Sequence, residues 1–518
     1  MLANDEWAEM QFGEAPLGDV RRVRRAVRLA AEMLSKPGAS IPQLSKTRYD
    51  VKAAYNLFSH SESTPENLQA GHRLLVHAAL HDADSGTTRL LVEDTTTMSW
   101  PAERPIAGLA PIGELDALSQ GFLLHSVLAM SWASSSSGGK LPTALPGVPS
   151  ERHPPLLLIG VASQQYVLRE MVPDSEAALP EGSRHFARQR REDRESDLWL
   201  RSTSELGSAP AGVRWVRICD RGADIYEFLQ SALSLGHGFV VRAAQNRALV
   251  GEGEEGHHLF ERVRAEETIA SITIELRSRP GKPARSAAIS ISACAVVIRS
   301  PRRPGASPGK LEPIHCTAIR AWEENPPEGE EALEWILLTD VGTPSAGRDE
   351  GDESAIAPLS PLSPLSPLSP LSPLEAVECV LQYATRWVIE EFHKVLKTGL
   401  GAERLQLEHA DRLFAAIALM SVVAIRLLDL KERVRAAPDA PAESSGVDPL
   451  SITLLERHVG RRLETVQDVA LAIGRLGGHM GRKRDGLPGW KTLWLGLRQL
   501  DAMTHGARLA LQQQSRFG

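Results

Sequence analysis

The sequence predicts an α/β core framed by helical regions, and three observations carry that prediction. Two apolar runs, Thr88-Arg-Leu-Leu-Val-Glu-Asp94 and Val213-Arg-Trp-Val-Arg-Ile-Cys-Asp220, each end in an aspartate. A helical stretch, 224–235, and another strand, Gly238–Arg242, follow the second run, and such alternation marks an α/β arrangement. The first seventy residues and those after residue 375 show helical spacing instead.

Near the start, Leu17-Gly18-Asp19 precedes an arginine-rich helix with apolar Val20, Val23, Val27 and Leu29. A second helix is predicted from Arg48 through Val51, Ala54, Tyr55 and Phe58. Arg21, Arg22, Arg24, Arg25 and Arg28 fall within eight positions. That density suits a polyanion, although an exposed amphipathic helix also accommodates it.

Residues 268–320 read as a β insertion, with strands at 271–276, 288–291 and 294–298 between Pro/Gly turns. The core resumes at Trp335–Thr339. A Pro-Leu-Ser repeat then runs from Pro358 to Leu374, its prolines at period three. This pattern favours polyproline II, roughly 50 Å long, and serves as a linker or as a strip for a partner. After it, a helix is expected over 375–397, stopped by Gly399 and Gly401. Another is expected from Glu403 to about Val434, then a polar loop over 436–445 and a helical remainder interrupted at 477–478 and 486–489.

Four scattered cysteines, Cys219, Cys294, Cys316 and Cys379, offer neither a zinc-ligand spacing nor a disulfide framework. An acidic N-terminus without an apolar leader, and a longest apolar run (413–425) short of the roughly 20 residues of a membrane span, lead us to expect a cytoplasmic protein. The net charge is −7, but residues 322–354 alone carry −10, which leaves about +3 elsewhere. Basic clusters at 21–28, 184–194 and 482–484 therefore keep nucleic acid open as a partner.

Tyr383, Arg386, Glu390 and Lys397 lie at offsets 0, 3, 7 and 14. On an ideal helix, at about 100° per residue, they share an arc of roughly 60°, which Lys394 joins. Such a stripe also fits a solvated helix face with its i,i+4 pairs. Taken with Asp94 and Asp220, Glu390 would complete a set of three carboxylates. Such a set could supply the site of two-metal phosphodiester chemistry, because hard divalent ions take carboxylate oxygens and leave positions open for phosphate.

The segment from Tyr383 to Arg404 closely resembles the Y-x2-R-x3-E-x6-K signature of the insertion-sequence-four family of DDE transposases, to which the Tn-five transposase belongs. Val92-Glu-Asp-Thr-Thr-Thr97 and Cys219-Asp-Arg-Gly-Ala-Asp-Ile-Tyr226 resemble the segments of that family's two catalytic aspartates. Shorter matches occur around His125, Trp199, Phe239–Arg242, Asn325–Pro327, Trp335, Leu17–Arg22 and Arg475–Trp494.

The resemblance implies an RNase H-like catalytic core with a β insertion. It also implies an N-terminal helical DNA-binding domain and a C-terminal helical region for dimerisation. The expected boundaries are 1–70, 71–435 (insertion about 245–335, linker 358–374) and 446–518. Asp94, Asp220 and Glu390 would be catalytic and hold two Mg²⁺ ions, with Mn²⁺ as a substitute. Tyr383, Arg386, Lys397, Arg242, Arg21, Arg22 and Arg25 would contact DNA, and Trp335 would receive a flipped base. The implied reaction is cut-and-paste transposition by a homodimer on paired transposon ends. The strand is nicked, a hairpin forms and is reopened, and the 3′ ends join target DNA. A silent end-binding repressor and an RNase H-like nuclease without strand transfer remain the alternatives.

Overall fold

The computed structural model describes residues 4–81, 87–112, 118–132, 158–168, 180, 195–250, 258–276, 285–301, 311–342, 371–482 and 486–517. The basic cluster at 184–194, Lys483, Arg484 and the Pro-Leu-Ser repeat up to residue 370 lie outside these.

Five helices open the chain: α1 (Asn4–Phe12), α2 (Val20–Ser35), α3 (Ile41–Leu44), α4 (Arg48–Phe58) and α5 (Pro65–His81). The two expected from sequence form where local chemistry starts them. Asp19 caps α2 by accepting from the Arg21 amide, and Thr47 caps α4 by accepting from Asp50. The boundary expected at residue 70 falls inside α5, whose buried Leu68, Val76 and Leu80 carry the helix on to the sheet.

One sheet organises the rest. Its strands are β1 (Thr88–Pro101), β2 (Ala110–Pro111), β3 (Ser119–Trp132), β4 (Leu158–Val167), β5 (Arg214–Cys219), β6 (Gly238–Arg242), β7 (Ala270–Leu276), β8 (Arg285–Ile298), β9 (Ile314–Glu323) and β10 (Glu334–Thr339). The order is β2-β3-β1-β5-β6-β10-β9-β8-β7, with β4 paired to β3. Strands β1, β5 and β6 are parallel; β3 and β4 continue antiparallel on one side, and β10, β9, β8 and β7 on the other. The strands of the expected insertion thus extend the central sheet instead of forming a separate layer.

Some carboxylates of the described part of the acidic stretch are held in ion pairs. Glu323 and Glu330 pair with Arg285, and Glu334 pairs with Arg264 and Arg320.

Helices α6 (Asp197–Leu206) and α7 (Tyr226–Ser234) cover one face near β1 and β5, and the short α8 (Leu259–Arg264) packs on β8 and β9. The opposite face receives α9 (Pro373–Ala384), α10 (Trp387–Lys394) and α11 (Ala410–Ala436). Helix α11 is long and apolar enough to cross a membrane by composition, but 83% of its most apolar window is buried inside the protein. It is a core helix. The helix expected to begin at Glu403 starts only at Ala410, after a 3-10 turn at Ala402–Arg404.

The single helix expected over 375–397 is three segments. The last Ser-Pro of the repeat starts it: Ser372 caps α9, Pro373 takes the first turn and Glu375 closes a capping box. At Thr385 and Arg386 the backbone tightens to i→i+3 bonds, with Thr385 Oγ1 turned back onto the Gln382 carbonyl. After α10 it loosens into a π-helical turn, Val395–Gly399.

Helices α12 (Pro449–Val459), α13 (Val466–Leu476) and α14 (Trp490–Phe517) close the chain. The Trp490 ring lies so close to Gly399 that a Cβ there would stand 2.9 Å from it. Gly38, from the N-terminal helices, faces the Gly399 carbonyl, and a Cβ on Gly38 would approach it to 2.6 Å. Gly399→Ala should therefore overpack this junction and destabilise the protein by about 1–3 kcal/mol. A thermal-unfolding midpoint equal to that of the parent would contradict the packing described.

Candidate active site

Parallel pairing sets the first two carboxylates side by side. The β1–β5 register runs from Thr88 opposite Arg214 to Glu93 opposite Cys219, and the next position on each chain is an aspartate. Side chains alternate along a strand. Glu93 and Cys219 are wholly buried toward α6 and α7, so Asp94 and Asp220 emerge on the α9–α11 face with Leu90, Val92, Val216 and Ile218. Asp94 accepts from the Thr95 amide at 2.7 Å, and Asp220 from the Gly222 amide at 2.8 Å.

Helix α10 packs on β1 and brings Glu390 to the same face. Arg386, in the tightened turn, lies 3.6 Å from Asp94 and pairs with Glu390. Burial raises the Asp94 carboxyl to about 6, reinforced by the negative charges of Asp220 and Glu390 and opposed by Arg386. Asp94 thus feels the charge of both other carboxylates.

An all-oxygen donor set that repels itself suits a hard divalent cation. Among the described residues no three His, Cys, Asp or Glu side chains already close around an ion position. The third carboxylate, Glu390, is instead 57% exposed and held by Arg386. The donors fit such an ion once that pair opens.

Tyr383, Arg242 and Trp335 form a neighbouring nook. The rings of Trp335 on β10 and Tyr383 on α9 meet edge to face at 5.2 Å between centroids. Arg242, at the end of β6, hydrogen-bonds to Tyr383 and donates to the Glu334 carbonyl at 3.0 Å. Burial raises the Tyr383 phenol above its ordinary value, against the pull of Arg386 and Arg242.

Lys397 departs from the ideal stripe. It sits in the π-helical turn, donates to the Thr97 carbonyl on β1 and stands 3.7 Å from Glu403. Lys394 is exposed on α10.

The N-terminal arginines belong to another surface, and three of them are engaged within the protein. Arg22 donates to the Leu17 carbonyl and contacts His60 at 2.9 Å, while Arg25 pairs with Asp50 at 3.0 Å. Arg21, Arg24 and Arg28 are the exposed arginines of that helix, Arg28 being paired with Glu32 and Asp50.

Sequence reasoning missed a cluster directly behind the aspartates. Glu93, Arg217, Ser202, His125 and Cys219 are all fully buried there. Burial pushes the Glu93 carboxyl up, but Arg217 and His125 together hold it down at about 2. The available signal was a charge at an inward position in each of two apolar runs, Glu93 in one and Arg217 in the other.

Residues 4–63 match the family described as transposase DNA-binding, and residues 422–516 match the Tn5 transposase dimerisation domain. The two matches flank the sheet that carries Asp94 and Asp220. The resemblance read from the signature is thus joined by a transposase DNA-binding match at one end of the chain and a Tn5 transposase dimerisation match at the other.

The raised Asp94 value has a consequence for stability. A carboxylate with a folded pKa above its unfolded one costs the fold nothing below pH 4, and its full cost is present once pH exceeds about 6. In chelator, Asp94→Asn should raise the thermal midpoint at pH 8, by an amount worth roughly 2–3 kcal/mol at most. At pH 3.5 it should change nothing. An equal or lower midpoint at pH 8 would contradict the electrostatics described.

Proposed function

We propose that this Tn5-type chain is a cut-and-paste DNA transposase of the DDE class. In this reading its core is RNase H-like, and Asp94, Asp220 and Glu390 hold two Mg²⁺ ions for which Mn²⁺ substitutes. The observation that carries it is the side-by-side placement of Asp94 and Asp220 under the helix segments that bear the intact Tyr-Arg-Glu-Lys signature. The strand order β4-β3-β1-β5-β6, antiparallel on one side of β1 and parallel on the other, supports the RNase H-like assignment. The terminal domains supply DNA and a second copy of the chain as partners.

Bound between the carboxylates, the ions would stabilise charge developing on the attacking and leaving oxygens. The protein's own groups position the DNA. Arg386 gives up Glu390 and turns its planar donors to a phosphate beside the carboxylates. Lys397 and Lys394 offer point charges to the adjoining backbone. Trp335 presents a half-buried ring on which an extruded base stacks, walled by Tyr383 and Arg242. Arg21, exposed at the start of α2, contacts phosphate on the transposon end, while Arg22 and Arg25 brace that helix. Nicking, hairpin formation, hairpin opening and target joining are all in-line displacements at phosphorus, so one carboxylate site serves all four.

The test is incubation of the full chain with Mg²⁺ and a duplex carrying the DNA that flanks its own coding sequence. Asp94→Ala, Asp220→Ala and Glu390→Ala should each abolish cleavage and keep end binding. Cleavage by any of the three would overturn the assignment. Hairpin and joined products separate a transposase from a plain nuclease, and binding without cleavage by the parent protein would mark a repressor.

Trp335→Ala should lower hairpin yield by about ten-fold, in line with roughly 1–3 kcal/mol for one base–aromatic stack, and spare the first nick. Equal loss of nick and hairpin, measured on a denaturing gel, would remove the base-receiving role.

A further inference from the structure

The cluster behind the aspartates holds its members more closely than packing requires. Arg217 on β5 donates to Glu93 on β1 through Nε at 3.0 Å and through a second, shorter bond. Arg217 also reaches Ser202 of α6 at 2.8 Å, and Ser202 donates to Glu93 at 2.9 Å. The Cys219 thiol donates to the same carboxylate at 3.1 Å. His125 of β3 stands with Nε2 3.4 Å from Glu93 and Nδ1 2.8 Å from the Thr95 hydroxyl. One imidazole therefore touches the residues on both sides of Asp94. Trp199 of α6 meets that imidazole edge to face at 4.7 Å, and the Phe228 ring of α7 lies 5.5 Å from the Arg217 guanidinium.

A buried ion pair of this kind is no more stabilising than well-packed apolar side chains of the same size, and its best-attested use is to fix one arrangement among several. Here the alternative arrangement has a definite cost. A slip of β1 against β5 by one residue would turn one aspartate to the far face and separate the two. The Glu93–Arg217 pair spans those two strands, and His125 clamps β1 to β3 at the same level. The carboxylate that faces the helices is thereby held through the backbone by groups that never reach its own face.

We propose that Glu93, Arg217 and His125 form a positioning unit that fixes Asp94 beside Asp220 for divalent-cation binding. The unit acts from the opposite face of the sheet and touches neither cation nor DNA. It rests on the reading of Asp94 and Asp220 as the cation-holding pair, and the experiment separates the two claims.

The full chain, loaded with a duplex of its flanking DNA, is titrated with Mn²⁺ and bound ion is read by electron paramagnetic resonance. Cleavage is followed in parallel. Three variants are compared with the parent: Asp94→Ala, the double variant Glu93→Gln/Arg217→Met, and Thr95→Val. The double variant removes both charges together, so no lone ion is left buried. Thr95→Val removes only the hold of His125 on one neighbour of Asp94 and keeps the amide that Asp94 accepts from.

The positioning role predicts that the double variant binds Mn²⁺ about 10- to 100-fold more weakly, the range seen when supporting contacts of metal ligands are removed. Duplex binding should stay within about two-fold, and saturating Mn²⁺ should restore much of the cleavage rate. Thr95→Val should shift the Mn²⁺ titration in the same direction by less. If Asp94→Ala binds Mn²⁺ like the parent, the active-site reading itself fails. If Asp94→Ala loses Mn²⁺ while Thr95→Val and the folded double variant titrate like the parent, the positioning role is overturned. Should the double variant not fold, Thr95→Val decides alone.

Discussion

Strand β1 lies parallel to β5 from Thr88 and Arg214 to Glu93 and Cys219, and both chains then present an aspartate on the same face. Adjacent strands stand about 4.8 Å apart, so two carboxylates in register have no room to avoid each other. Burial around Asp94, first, and the charge of Asp220, second, raise its carboxyl to about 6. Arg386 is drawn to the same place and, in turn, holds Glu390. The sheet makes the repulsion, and the helices bring the groups that answer it.

The irregular helix is part of that answer. A straight α-helix from Pro373 to Gly399 would keep Tyr383, Arg386, Glu390 and Lys397 in one narrow stripe. The tightening at Thr385 and Arg386 and the loosening at Val395–Gly399 spread them along β1 and over toward β10. Tyr383 thereby meets Trp335 and Arg242, Arg386 stands at Asp94, and Lys397 reaches Thr97, three residues further along β1. Irregular turns inside helices are common at working sites for this reason: they re-aim side chains at small cost in hydrogen bonds.

What the sequence revealed follows from which interactions are local. The helices after Asp19 and from Arg48, the strands ending at Asp94 and Asp220, and the β-rich stretch after residue 268 all announce themselves within a few residues. Strands β3 and β4 did not, because both faces of β3 are buried and its run Phe122–Met130 shows no alternation to tell strand from helix. The breaks around Arg386 and Lys397 were hidden for a different reason. Thr385, Arg386 and Val395–Thr398 are not strong helix breakers, and the π-helical turn is tied to β1, Glu403 and Trp490 from elsewhere in the chain. Nor could spacing show that Arg25 is held by Asp50, or that Glu93 is held by Arg217, 124 residues away in sequence.

Gly399 gathers these long-range constraints at one point. Its carbonyl faces Gly38 in the segment that matches a DNA-binding domain, and its α-carbon faces Trp490 in the segment that matches a dimerisation domain. Arg404 adds a bond to the Gly38 carbonyl at 3.4 Å from the turn that follows. Two residues before Gly399 stands Lys397, tied to β1. Interiors packed at crystal-like density do not absorb displacement in voids. The π-helical turn touches α14, the loop after α2 and the strand that carries Asp94. Side chains larger than hydrogen at positions 38 or 399 would prop these parts apart, so glycine at both is what lets three regions of the chain meet beside one pair of carboxylates.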